Sequence, residues 1–100
     1  MTVRWTFRAV EDLLAIGEYI ADQKPAAARQ WVEQLRERAE RAECLPEAGR
    51  VVPEFGRTDV REVLLRTYRI VYRVVPDGIV VLTVFEGHKR LREVDPDDDV

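Results

Sequence analysis

Eight side chains in the second half of the chain carry the chemistry that another molecule would meet: Arg61, Arg66, Arg69, Tyr72, Arg73, His88, Lys89 and Arg90. Arginine offers a planar fork of donors that matches phosphate or carboxylate, and it stays charged at any physiological pH. Histidine is the one group in the set that titrates near neutrality, so His88 is the candidate general acid. A set of this kind has two uses. It can form a basic surface for phosphates or an acidic protein, or its arginines can solubilise a strand face and pair with acids such as Glu62 and Glu86. RNA cleavage would ask more of it: activation of a 2′-OH, stabilisation of phosphorane charge and a proton for the leaving oxygen. With a single histidine no histidine-pair mechanism is available. There is no glycine-rich phosphate loop, no metal-spaced His/Cys/Asp cluster and no Gly-x-Ser-x-Gly, so neither a metal nor a cofactor is expected.

The elements that must position this set follow from periodicity. Val60–Leu65, Tyr68–Val75 and Ile79–Phe85 are rich in β-branched and aromatic residues, and the links Arg66-Thr67 and Pro76-Asp77-Gly78 leave room only for tight turns. Alternation places Arg69 and Arg73 on one face with Val71 between them, and Tyr68, Ile70 and Tyr72 on the other. Earlier, Val3–Phe7 reads as a short opening strand. A helix capped near Thr6 follows, with Glu11 and Asp12 expected in its first turn and a buried stripe of Ala9, Val10, Leu13, Leu14, Ile16 and Ile20. Gly17 within it points to close approach of a neighbouring backbone. Pro25 ends that helix and opens a second, which runs to about Cys44 with Ala28, Trp31, Val32, Leu35, Ala39 and Ala42 as its apolar stripe. So short a link makes the two helices an antiparallel hairpin. Val51-Val52 adds a short extended piece before the sheet. The expectation is a two-layer α+β domain: N-terminal strand, helical hairpin, then a three- to four-stranded antiparallel sheet.

One hundred residues with 46% hydrophobic content suffice for one domain with a real core. No apolar run approaches the ~20 residues that span a bilayer, and no secretory signal pattern opens the sequence. The lone Cys44 forms no internal disulfide, and a cytoplasmic location is expected. The net charge of −3 is unevenly spread. Five acids, Glu93, Asp95, Asp97, Asp98 and Asp99, lie in the last eight positions, which leaves a body of sixteen basic and fourteen acidic side chains, net +2. Neither value demands nucleic acid or membrane as a partner. Residues 1–92 are therefore expected to form the domain, and residues 93–100 an acidic flexible tail with little to bury.

Read together, Trp5, Ala9-x-x-Asp12-Leu13-x-x-Ile16-x-x-Tyr19-Ile20, Pro25-x-Ala27-Ala28, Gly49-Arg50, Arg61-Glu62-Val63, Tyr68-Arg69-Ile70-Val71-Tyr72-Arg73-Val74 and Val80–Phe85 running into Glu86-Gly87-His88-Lys89-Arg90 resemble the RelE/ParE superfamily of bacterial toxins. The resemblance spans about residues 3 to 92. It implies the toxin half of a type II toxin–antitoxin pair, neutralised in a hetero-oligomer by a flexible segment of a cognate antitoxin; promoter DNA would be read by the antitoxin and not by this chain. It implies antitoxin contacts at Leu13, Ile20, Trp31, Leu35, Arg61 and Arg69. It also implies one of two targets. ParE-like members inhibit DNA gyrase without being enzymes, for which Arg73, His88, Lys89 and Arg90 are the candidate target-binding residues. RelE-like members cut mRNA on the ribosome, for which Arg61, Arg69 and His88 are the candidate catalytic set. His88 is followed by Lys89 where the RNases commonly place His-Tyr, no tyrosine follows Tyr72, and the body is only mildly basic, so the ParE-like reading is preferred. The alternatives are the endonuclease and a non-toxic homologue that only binds antitoxin.

Overall fold

The computed structural model describes residues 2–91 and 93–100. Thr6 starts the helical half: its backbone is extended, and its hydroxyl accepts from the Ala9 N–H at 3.0 Å, satisfying one of the free donors of the first turn. Helix α1 then runs over Phe7–Gln23 and α2 over Pro25–Cys44, divided by Lys24 and with Pro25 at the first helical position, where its missing N–H costs nothing. The early start of α1 moves Glu11 and Asp12 out of the first turn, where they were expected. Gly17 permits the close helix packing that was anticipated, although the neighbour is a side chain and not backbone: a Cβ there would stand 2.9 Å from Val32 Cγ2.

Five strands form one sheet in the order β1-β5-β4-β3-β2: β1 Thr2–Trp5, β2 Arg50–Val51, β3 Val60–Leu65, β4 Tyr68–Val75 and β5 Gly78–Glu86. The last four pair antiparallel, as alternation and short turns require. The opening strand joins the same sheet, parallel to β5, from Thr2 opposite Gly78 to Trp5 opposite Val81. A register shift at Val71/Tyr72 inserts an extra residue into β5, so that Leu82 has no partner in the ladder.

Each face of the sheet buries its own cluster. Tyr68, Ile70, Tyr72, Ile79, Val81 and Val84 meet Ala9, Leu13, Leu35, Ala39 and Ala42 of the helices. Val71, Val80, Leu82, Val60 and Val52 form a second cluster on the opposite face, covered by Phe55, Leu91 and Val94. The helix stripes were over-assigned to the core. Val10 and Leu14 are exposed, because only the Ala9–Leu13–Ile16 side of α1 turns toward the sheet.

The acidic segment departs most from expectation. It lies across the outer face and is anchored at several points: Arg73 donates to the Pro96 and Asp98 carbonyls, Arg57 pairs with Asp97, Arg4 with Asp99, and the Phe7 N–H donates to the Val100 carbonyl. Composition gave this segment nothing to pack on. What it lacked in apolar residues the sheet supplies as arginines, while Val94 joins the second cluster.

Gly78 ties β1 to β5. Its φ is +152°, and a Cβ there would overlap the Thr2 backbone. Gly78→Ala should therefore cost roughly 2 kcal/mol or more by overpacking, read as a lower urea midpoint; an unchanged midpoint would mean that the β1 pairing contributes little.

Candidate functional site

The alternation of β3 and β4 brings Glu62, Arg69 and Arg73 to the outer face of the sheet. β2 adds Arg50 directly opposite Glu62. The Glu62 carboxylate, 1% exposed, accepts from Arg69 Nε at 2.6 Å and from Arg50 Nε at 2.8 Å, with a second short bond from Arg50. The other side of the Arg69 guanidinium is bidentate to Glu54, both bonds at 3.0 Å, and its carbon lies 4.8 Å from the Phe85 ring centroid. Two carboxylates and an aromatic face thus hold Arg69, whose side chain is 11% exposed. The hydrogen bond from Arg69 holds Glu54 below the usual carboxylate range, and the bond from Arg57 does the same for Asp59. Arg61 is also committed, donating to the carbonyls of Thr58, Glu47 and Gly49. Burial raises the pKa of Tyr72, whose hydroxyl donates to the Pro46 carbonyl at 2.6 Å, and burial first and then Glu86 raise that of Tyr68. Neither tyrosine is poised to act as a base at neutral pH.

Arg61, Arg69 and His88, the candidate catalytic set, lie in different settings. Arg61 and Arg69 are fixed in internal bonds, and His88 lies exposed just beyond β5, its N–H on Glu86 Oε1 at 2.8 Å. Among the proposed target-binding residues, Arg73 separates from the others. It sits beneath residues 96–99, 12% exposed, whereas His88, Lys89 and Arg90 are exposed at the end of β5. The Gly87 N–H bonds to the Thr67 carbonyl and brings the turn carrying Arg66 beside them. Among the described residues, Arg66, His88, Lys89 and Arg90 take part in no ion pair. Lys89 and Arg90 also line a cavity of about 210 Å³ with Asp12, Thr83 and Arg8. There Arg8 pairs with Asp12 at 3.1 Å and Thr83 donates to the same carboxylate.

The proposed antitoxin contacts divide by burial. Leu13 and Leu35 are core residues and cannot meet a partner. Trp31 is half-buried, edge-on to Tyr68 at 5.6 Å with the Arg66 guanidinium over its ring at 5.3 Å; Ile20 is half-exposed. An accessible apolar stripe lies one step round α1, on Phe7, Val10 and Leu14, which are 77%, 40% and 58% exposed. It continues into a groove between the helices lined by Gly17, Ala21, Ala28 and Val32. Spacing at 7, 10 and 14 already marks a second helical stripe beside the core one. No group of acids, histidines or cysteines among the described residues is arranged to hold a metal ion, and no helix among them is long and apolar enough to cross a membrane.

An N-terminal strand, a helical hairpin and an antiparallel sheet make an α+β fold of the RelE/ParE kind. The family model described as "ParE toxin of type II toxin-antitoxin system, parDE" matches residues 3–91, and the chain belongs to that family. It is 33% identical over 89 residues to "Toxin RelE2" of Caulobacter vibrioides, covering 89% of this chain and 97% of that one. Among solved structures it resembles "Chromosomal ParDE TA system from P. aeruginosa" with a TM-score of 0.73 and 24% identity, over 86% of this chain and 95% of that one.

Two expectations follow from the framework. Arg69→Ala strands the buried Glu62 carboxylate beside a single exposed arginine and should cost about 3 kcal/mol or more, the order found when one partner of a buried pair is removed. Denaturant unfolding checks this, and a loss under 1 kcal/mol would mean that the network is dispensable. Glu54 and Asp59 have folded values below their ordinary 4.5 and 3.8. Their contribution is complete above those values and is lost as pH falls through the depressed ones. Stability should therefore fall on acidification below about pH 4.5, and Glu54→Gln should flatten that slope in a pH series of thermal midpoints.

Proposed function

We propose that this toxin acts by binding its target without catalysis and that the target is DNA gyrase. The observation that supports this reading is the commitment of Arg69 and Arg61 to internal partners, which leaves neither guanidinium free for phosphorane charge. The hydrogen bond that ties His88 to Glu86 is made by its backbone N–H, and no hydrogen bond among the described residues orients its imidazole. At one end of the sheet Arg66, His88, Lys89 and Arg90 enter no ion pair among the described residues, a cationic patch suited to an acidic protein surface. A cytoplasmic location and growth arrest on free expression follow from this reading. The RelE-like endonuclease is the second reading, and the relative named "Toxin RelE2" favours it. Inhibition of gyrase supercoiling by purified wild-type protein, weakened about tenfold or more by Lys89→Glu with Arg90→Glu, is the expected result. Supercoiling unaffected at excess toxin rejects the gyrase target, and the absence of growth arrest on expression points to a homologue that only binds antitoxin.

We also infer a cognate antitoxin, because the solved relative is a ParDE system and the apolar stripe Phe7–Val10–Leu14, with its adjoining groove, is left uncovered. An amphipathic segment laid along that stripe, reaching Ile20 and Trp31, would bury it. Leu14→Glu should weaken the toxin–antitoxin complex by about 2 kcal/mol or more while leaving the unfolding midpoint nearly unchanged. Leu13→Ala should instead lower the midpoint by about 2–5 kcal/mol in stability. Calorimetric titration and denaturation of both variants separate the two roles, and unchanged antitoxin affinity in Leu14→Glu would displace the docking site from α1.

A further inference from the structure

The outer face of the sheet already holds a peptide, and the peptide is the chain's own acidic segment. Arg73 Nη1 donates to the carbonyls of Pro96 at 2.7 Å and Asp98 at 2.8 Å, and its Nη2 lies 3.4 Å from the Asp99 carboxylate. Arg57 Nη1 pairs with Asp97 at 3.0 Å and Arg4 Nη2 with Asp99 at 3.0 Å. The Phe7 N–H donates to the Val100 carbonyl at 2.8 Å, and Arg8 Nη1 to that of Glu93 at 2.9 Å. Val94 fills a place in the outer apolar cluster. Four arginines from different parts of the chain thus converge on one strip of backbone, which turns at Asp95–Asp98 where the Asp98 N–H donates to the Asp95 carbonyl at 3.2 Å. Half of their bonds go to main-chain carbonyls, and a phosphate backbone has none to offer.

We propose that Arg4, Arg57 and Arg73 form a receptor for an acidic peptide bound in a turn, an Asp/Glu-rich stretch preceded by one aliphatic residue, and that residues 94–100 are its resident occupant in cis, displaceable by such a segment from a partner protein. The cis ligand's ion pairs with Arg4 and Arg57 are exposed, each weak and screened by salt, which limits that share of its hold. Tethering keeps it at a high effective concentration, which sets how well a partner must bind to displace it. A partner carrying this motif would exchange with the strap without disturbing the helical face. This reading stands whether or not gyrase is the target, since it concerns a different face from the patch at Lys89 and Arg90.

The test is binding in trans of a fluorescent peptide, Glu-Val-Asp-Pro-Asp-Asp-Asp-Val, to the full chain at low salt. Asp97→Asn with Asp99→Asn weakens the cis strap and should raise affinity for the added peptide about five- to tenfold over wild type. Adding Arg73→Ala to that double variant should remove the gain, and 0.5 M salt should reduce it. If Arg73→Ala fails to fold, Arg4→Gln with Arg57→Gln replaces it, since both side chains lie at the surface. Equal affinity of wild type and the double variant overturns the proposal. So does binding that survives loss of the arginines, and so does tighter binding of a single-stranded oligonucleotide of equal charge, which would make the face a general polyanion site.

Discussion

Glu62 is the buried charge on which the outer half of the molecule depends. A carboxylate almost wholly removed from water is tolerable only with donors around it, and here they come from β2 and β4 at once. Meeting that demand fixes the two-residue β2 against β3. It also draws Arg69 flat over Phe85, and Arg69 in turn recruits Glu54 from the loop that covers the second apolar cluster. One desolvated acid therefore links a minimal strand, a central strand, the last strand and a covering loop. The helix face needs no such device, because Leu35, Ile70, Ile79 and their neighbours bury it by area alone.

This division explains how function is distributed. Arginines needed to balance buried acids are unavailable to a ligand, and those bonded to carbonyls hold loops in place. What remains free is set by topology. The β3–β4 turn and the residues after β5 come together because Gly87 bonds to Thr67, and that contact gathers cations far apart in sequence into one patch. On the opposite layer, α1 carries more apolar residues than one sheet can cover, so Phe7, Val10 and Leu14 are left for a partner. That surplus belongs to a chain of the ParE toxin family of type II toxin–antitoxin systems.

The sequence made the architecture legible where periodicity is strong. Pro25, the alternation from Tyr68 to Val75 and the tight turn at Arg66-Thr67 gave hairpin and meander with nearly their observed bounds. That the first strand pairs parallel with the last was not legible, since nothing local encodes a partner seventy-six residues away. Side-chain roles were less legible still. An arginine on a strand reads the same whether it faces solvent or a buried glutamate, so the sequence left open both a binding surface and pairing with acids such as Glu62, and only the fold shows Arg61, Arg69 and Arg73 in internal bonds. Leu13 and Leu14 are adjacent and chemically identical, and only the angle of α1 to the sheet makes one core and the other surface. The acidic segment was misread for a similar reason: composition reports what a segment can bury but not which cations await it.

We propose that the toxin binds its target and does not cut RNA. Purified wild-type protein added to a translating extract, with mRNA ends mapped by primer extension, tests it most directly. Messages that remain intact within codons at the ribosomal A site, even at toxin concentrations that stop growth-related processes, are the predicted result. Cleavage at the A site that disappears in His88→Ala would contradict it, and would require Arg69 or Arg61 to leave its internal partners on the ribosome.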